Sequence, residues 1–325
     1  MKAVIWIAYH LESPEIVGRY TDMAAKELLS KGHQVVVCRS PEEVSIEIED
    51  ADIMLCWRIL PEIFAKARKL KWIQFGSAGI DHTLFPELLA SNVVLTNLAG
   101  IHTSVVAEHV MACTLAFSRK LHLAFHQQSS HIWDRKPFAE GCFDLPGKCM
   151  GIIGYGRIGR EIGRLAKAFG MRVLGSRRTA EPAEYADEIV PPEDIRKLIT
   201  ESDFLTLVLP LTDMTTALLG ETELLQMKPG AYLINVARGQ MVDCNALAKL
   251  LREGRLGGAA LDVFAPEPLP EDSELWDAPN LIITPHTAGS HPGYSVKAFA
   301  IFSENLRRFE AGETMVNVFD RSRGY

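Results

Sequence analysis

Six residues near the middle of the chain, Gly154-Tyr155-Gly156-Arg157-Ile158-Gly159, spell G-x-G-x-x-G. Glycines cluster in many turns, so the surroundings decide what the pattern means. Here it leaves an apolar run at 150–153 and opens a helical pattern through Ile162, Leu165, Ala166 and Phe169. Strand, glycine turn and helix start together make a dinucleotide-binding fingerprint. The glycines let backbone approach a pyrophosphate, and the helix N-terminus adds free N–H groups and partial positive charge. Gly154, Tyr155, Gly156, Arg157, Ile158 and Gly159 are therefore candidate cofactor contacts.

Around this turn the whole chain alternates short apolar runs with helical patterns, which implies parallel sheets with crossover helices. Strands are expected at 3–8, 34–38, 52–56, 72–75 and 93–96, then at 150–153, 172–174, 204–208, 231–236, 258–261 and 281–284. The later set is apolar without alternation, as in strands covered on both faces. Between strands one and two, Met23, Ala24, Leu28 and Leu29 mark a buried helix face, and Gly32 closes that helix. A stretch from Ser104 to about Gln128 reads as one long helix, apolar on more than one stripe. A further helix is expected at 293–311, followed by an apolar segment at 316–319. Trp133 and Trp276 read as packing anchors. The class is α/β, with two doubly wound parallel-sheet domains, and 325 residues suit two domains.

Composition removes several alternatives. Apolar residues make up 47% and charged ones 23%, enough to fill a core and unlike a disordered chain. With 34 basic against 41 acidic residues, the net charge of -7 argues against a partner held by phosphate neutralisation, so no nucleic acid is expected. The six cysteines are scattered, which fits neither a disulfide framework nor a zinc cluster, and no metal is expected. The apolar start is too short for a signal peptide, and no run approaches the roughly 20 residues that span a bilayer. No membrane partner and a cytoplasmic location are the expectations.

The strand after the fingerprint bears on cofactor type. An NAD site usually ends it with an acidic residue that holds the ribose hydroxyls. This chain has Ser176-Arg177-Arg178 there. Ser and Arg can hydrogen-bond and neutralise a 2′-phosphate that a carboxylate would repel, so NADP(H) is expected. In the alternative, both arginines face solvent, Glu181 takes the acidic role and NAD(H) is the cofactor.

Ligands of open α/β sheets gather at the carboxyl ends of strands. Three later strands run into Val236-Ala237-Arg238, Asp262 and Pro285-His286, with Glu267 shortly after Asp262. One such Arg or His is more often structural than catalytic, but their convergence beside a nucleotide loop points to catalysis. Histidine moves protons near neutral pH, a neighbouring carboxylate fixes its tautomer, and arginine grips a carboxylate with two hydrogen bonds. Together they suit hydride transfer between a nicotinamide and a carbonyl carbon beside a carboxylate. In the first half, the strand at 72–75 exits into Gly76-Ser77-Ala78-Gly79-Ile80-Asp81, where small residues leave backbone N–H groups for an anion.

In these segments, and in Val106-Ala107-Glu108-His109, Lys228-Pro229-Gly230, 235–239, 258–263 and Pro285–Gly289, the chain resembles the D-2-hydroxyacid dehydrogenase family along almost its whole length. The resemblance implies a Rossmann cofactor domain, 99–290, inserted into a discontinuous flavodoxin-like substrate domain, 1–98 with 291–325, the two closing around substrate. It implies that Arg238 binds and polarises the keto acid, His286 is the acid/base, and Glu267 orients and charges it. Ala78 and Gly79, with Ser77 beside them, would hold the carboxylate. Asp262 would hold the nicotinamide carboxamide, and Leu209, Pro210, Thr215, Val236, Ala237 and Gly289 would lie along the cofactor. It implies a homodimer through the 104–128 region. Arg58 is a candidate for the variable end of the substrate, while His109 and Asp81 read as local hydrogen-bonding groups. Glu267 stands where the related formate dehydrogenases carry Gln, which argues against that activity. The Ser-Arg-Arg run points toward glyoxylate or hydroxypyruvate reductases. The alternatives are an NAD(H)-dependent phosphoglycerate- or lactate-type enzyme, or a nucleotide-sensing corepressor of the same fold. A zinc alcohol dehydrogenase lacks its Cys/His clusters here.

Overall fold

The structure is a computed structural model that describes residues 1–7 and 14–324. The chain forms two compact units, Met1–His102 with Ser290–Tyr325, and Thr103–Gly289.

The first unit holds β1 (Lys2–Trp6), β2 (Gln34–Val37), β3 (Ile53–Cys56), β4 (Trp72–Phe75) and β5 (Val94–Thr96). They form one parallel sheet in the order β2-β1-β3-β4-β5, the flavodoxin-like arrangement. Ala8, the expected end of the first strand, lies outside the described residues. The helix Pro14–Ser30 buries Tyr20, Ala24 and Leu28, which follow one another at four-residue spacing. Leu29 was expected on that face, but one residue further round the helix it is 58% exposed. Gly32 ends the helix at φ +77°, with the His33 N–H donating to Leu28 O.

The C-terminal helix Tyr294–Ala311 returns to this sheet and buries Tyr294, Ala298, Phe302 and Leu306. A buried polar network fixes its register. Asn305 Nδ2 donates to Gln74 Oε1 at 3.1 Å, and the Thr96 hydroxyl donates to the same oxygen at 2.8 Å. Phe302 stacks on Trp72 at 5.7 Å between centroids. Fully paired buried groups of this kind specify one docking position, which an apolar face alone leaves less defined.

The second unit holds β6 (Cys149–Ile153), β7 (Arg172–Ser176), β8 (Glu188–Val190), β9 (Phe204–Leu207), β10 (Tyr232–Asn235), β11 (Gly258–Leu261) and β12 (Leu281–Ile283). All are parallel, in the order β12-β11-β10-β9-β6-β7-β8. The strand order reverses at the β6–β9 pair, and the glycine fingerprint leaves β6 at that switch point, where such sheets bind ligands. β8 was missed because it is three residues long and set among polar neighbours.

The expected single helix at 104–128 is two, Thr103–Ser118 and Leu121–Ser129. Lys120 separates them in the left-handed region, at φ +55°, where an α-helix cannot continue. Its N–H closes the first helix on Phe117 O, and its carbonyl opens the second by accepting from Ala124 N. Trp133 is no packing anchor within the chain, being 92% exposed. Trp276 is half exposed and held by its indole N–H on Pro270 O at 2.8 Å. The architecture is α/β throughout, two doubly wound parallel sheets.

Candidate functional site

Each candidate group in the second unit follows a strand of one sheet. At the end of β10, the Asn235 side chain shapes the turn by accepting from Ala237 N at 3.0 Å and donating to Arg238 O at 2.9 Å. Gly239 then packs against the backbone of Phe264 and Ala265, where a Cβ would lie 2.0 Å from the Phe264 carbonyl carbon. Only glycine allows that approach, and it brings the Arg238 turn against the loop that carries Glu267.

Glu267 is fixed through both oxygens. Oε1 accepts from Phe264 N at 2.8 Å, and Oε2 lies 2.8 Å from His286 Nδ1. An ionised carboxylate can only accept, so Nδ1 carries the proton in that bond and Nε2 is the nitrogen free to exchange one with a substrate. Burial works to raise the Glu267 carboxyl. The His286 bond, the Phe264 N–H and the charges of His286 and Arg238 outweigh it and hold the group below the usual glutamate range.

His286 itself sits at φ +55°, a backbone conformation costly for a residue with a Cβ. Its N–H donates to Asp262 O at 2.8 Å and Thr284 O at 3.0 Å. Asp262, 2% exposed, anchors the same segment with its carboxylate. Oδ1 accepts from the Thr284 hydroxyl at 2.6 Å and Thr287 N at 2.9 Å, and Oδ2 from Ala288 N at 3.0 Å. Asp262 was expected to serve the cofactor; what the structure places on it is the loop that carries His286. That structural duty was not read from the sequence, although Asp262 and Thr284-Pro285-His286-Thr287 at neighbouring strand ends were its only trace. His109 Nε2 is 3.4 Å from the Thr284 hydroxyl, and burial lowers its pKa against the opposing pull of Asp262.

At the fingerprint the glycines divide their work. Gly154, at φ +104°, passes so close to β9's exit that a Cβ would lie 2.4 Å from Val208 O. Gly156 is exposed, with nothing within 4 Å of where a Cβ would stand. Open backbone there, beside the first N–H groups of the helix Arg157–Ala168, fits a pyrophosphate. Leu209, Pro210 and Thr215 share one turn, closed by the Thr215 hydroxyl donating to Pro210 O at 2.9 Å. The Tyr155 side chain belongs to the core of the unit. It is 2% exposed and packs into the core with Ile162, Val173 and Ile189, so only its backbone remains on the fingerprint.

β7 ends in buried Ser176, followed by Arg177 and exposed Arg178. Arg177 is engaged within its own loop, Nε donating to Thr179 O at 3.1 Å and Nη2 to Glu181 O at 3.0 Å. Glu181 lies 3.8 Å from Arg177 and its side chain is 79% exposed. The first carboxylate after β7 is thus paired with an arginine.

In the first unit, the Gly76–Ile80 loop follows β4. Tyr294, which the sequence did not single out, donates its hydroxyl to Gly76 O and so fixes the loop. Ala78 and Gly79 are half-buried, and Ser77 is buried with an Oγ that has no hydrogen-bond partner. Arg58, after β3, is exposed, and its neighbour Trp57 stacks on His82 at 6.5 Å. Among the described residues, no helix is long and apolar enough to cross a membrane, and no cluster of three His, Cys, Asp or Glu could hold a metal.

Known proteins share this fold and sequence pattern. Residues 111–288 match a family model described as D-isomer specific 2-hydroxyacid dehydrogenase, NAD binding domain. A glyoxylate reductase of Thermococcus gammatolerans is 37% identical over 289 residues, 85% of this chain and 86% of that protein. The solved NADPH-dependent glyoxylate/hydroxypyruvate reductase of Sinorhizobium meliloti, in complex with NADP and sulfate, superposes with a TM-score of 0.83. It is 26% identical, and the match covers 100% of this chain and 99% of that one. A D-isomer specific 2-hydroxyacid dehydrogenase of Xanthobacter autotrophicus, in complex with NADPH and MES, gives 0.83 at 27% identity over 99% of both chains.

Proposed function

The chain belongs to the D-isomer specific 2-hydroxyacid dehydrogenase family, and we propose that within it this protein reduces glyoxylate, hydroxypyruvate or a similarly small 2-keto acid with NADPH. The observation that carries the cofactor reading is the end of β7. Ser176 and Arg178 stand where a ribose-holding carboxylate would, and Glu181, the alternative, is paired with Arg177. An anionic 2′-phosphate is favoured beside that exposed arginine and would be repelled by an acidic residue.

A nicotinamide dinucleotide held by the backbone of the Gly154–Gly159 turn would supply the hydride. The remaining steps fall to side chains. Arg238 holds the carboxylate of the keto acid and draws electron density from the adjacent carbonyl. His286 would give the proton at Nε2 to the keto oxygen, so that a hydroxyl forms on the reduced carbon and the imidazole is left neutral. Glu267 keeps Nδ1 protonated and offsets the imidazolium charge before transfer. In the first unit, the Gly76–Ile80 loop by itself offers backbone N–H groups that suit a carboxylate.

A homodimer belongs to the same proposal. Within 121–133, Leu121, Phe125, Ile132 and Trp133 are large apolar side chains left exposed, and covering them with a second copy would remove that apolar area from water. Sedimentation of the purified protein as a monomer at micromolar concentration would remove that part.

The test follows NADPH oxidation with glyoxylate, hydroxypyruvate, pyruvate and longer branched keto acids. Turnover highest on the two smallest hydrophilic acids supports the reading. No turnover with any of them favours the nucleotide-sensing alternative.

A further inference from the structure

Tyr155 occupies the first variable position of the glycine fingerprint, yet its ring turns away from the phosphate side. Two glycines outside the fingerprint make room for it. A Cβ at Gly175, in β7, would lie 2.4 Å from Tyr155 Cδ2, and one at Gly163, in the following helix, 2.3 Å from its hydroxyl oxygen. The hydroxyl crosses this channel and donates to Glu184 O at 2.8 Å. Burial pushes the phenol up to about 12, so it remains a donor at any working pH.

The same residue also holds the other end of the segment it reaches. Tyr155 N donates to Ser176 O at 2.7 Å, with Gly154 N on the same carbonyl at 3.0 Å. The residues between Ser176 and Glu184 include Arg177, Arg178 and Glu181, and from Arg178 to Pro182 they are exposed. Arg177 donates its backbone N–H to Val190 O at 3.2 Å and its guanidinium to Thr179 O and Glu181 O, and Arg160 pairs with the Glu184 carboxylate at 3.3 Å on the exposed surface. One tyrosine therefore clamps both ends of an exposed loop, through its backbone at the start and its hydroxyl near the finish.

We propose that Tyr155 is a positioning residue for cofactor choice: its hydroxyl, seated in the Gly163–Gly175 channel and bonded to Glu184 O, holds the 177–184 loop so that Arg178 meets the 2′-phosphate. This rests on the NADPH reading above. It assigns to the fingerprint tyrosine a role in selecting the cofactor without touching it. Glycines at 163 and 175 then serve selectivity indirectly, since any side chain at either displaces the ring.

The experiment compares kcat/KM for NADPH and NADH at saturating glyoxylate in the wild type, Tyr155→Phe, Arg178→Ala and the double variant, with the melting temperature of each. Tyr155→Phe keeps the ring in its channel and removes only the hydroxyl. Its NADPH/NADH ratio should fall about fivefold, the worth of one neutral hydrogen bond. In the Arg178→Ala background the same substitution should leave the ratio where Arg178→Ala alone puts it. A merely structural tyrosine would lower the melting temperature and affect both cofactors alike, which overturns the proposal. A fall in the ratio that persists without Arg178 overturns it too, because the hydroxyl would then act elsewhere. If the wild type prefers NADPH, Arg178→Ala abolishes the preference and Tyr155→Phe leaves it intact, the clamp fails alone. If the wild type prefers NADH, the cofactor reading fails and the clamp falls with it.

Discussion

Two loops of the seven-stranded sheet are held in contrasting ways. The segment after β12 carries His286 and is tied to a buried carboxylate by three donors, with its left-handed residue bonded through the backbone to two carbonyls. The connection from β7 to β8 carries Arg178 and runs exposed, fastened by Arg177 to its own carbonyls and by Tyr155 from beneath. The first arrangement stakes the proposed chemistry on groups whose loss leaves buried polar atoms unpaired. The second places the choice of cofactor where side chains can change at little cost to the fold. The two functions should therefore be separable by mutation.

The largest effect tests the rigid side. His286→Gln removes the proposed proton donor, and kcat for keto acid reduction should fall roughly 10²- to 10⁴-fold with the melting temperature nearly kept. A rate within a few-fold of wild type would take His286 out of the mechanism. Asp262→Ala should separate this loop from the exposed one in a different measurement. Three donors lose their acceptor, so denaturant unfolding should show a loss of about 2–4 kcal/mol, with activity falling alongside. Loss of activity at unchanged stability would mean that Asp262 serves the cofactor and not the loop.

The smallest effect concerns charge. Glu267 is held below its ordinary value of 4.5, so the ionised form and the stability it brings are present above that value. They are lost only as pH falls through the lowered value. An NMR titration of the Glu267 carboxyl should show a midpoint below 4.5, and His286→Ala should move it upward by removing the bond and charge that lower it. A midpoint at or above 4.5 in the intact protein would contradict the pairing.

Much of this was legible in the sequence, for identifiable reasons. The parallel strands are apolar and flanked by turn residues, and all were foreseen but β8, whose three residues give period reasoning too little to work on. Arg238, Glu267 and His286 could be grouped because strand ends meet at one edge. That Glu267 bonds Nδ1, and that Gly239 lets the two loops touch, depends on how the folded strand ends are placed against each other. The break at Lys120 carries no glycine or proline to announce it. The direction of the Tyr155 side chain could not be read from the motif, which names positions and says nothing of which way a side chain turns. The glycines at 163 and 175 explain its direction only once β7 and the helix are placed against it. Leu29 and Trp133 are apolar residues on the surface, and sequence alone cannot tell such residues from core.

The most direct test of a separable selectivity loop is the ratio of kcat/KM for NADPH over NADH with glyoxylate, measured in the wild type and in Arg178→Ala. A lost charge-assisted phosphate contact is worth roughly 10- to 100-fold. The wild type should therefore favour NADPH by at least about tenfold, and the variant should lose that preference through KM for NADPH while kcat moves far less. A wild type that uses NADH as well or better, or a variant that keeps its preference, would contradict the account.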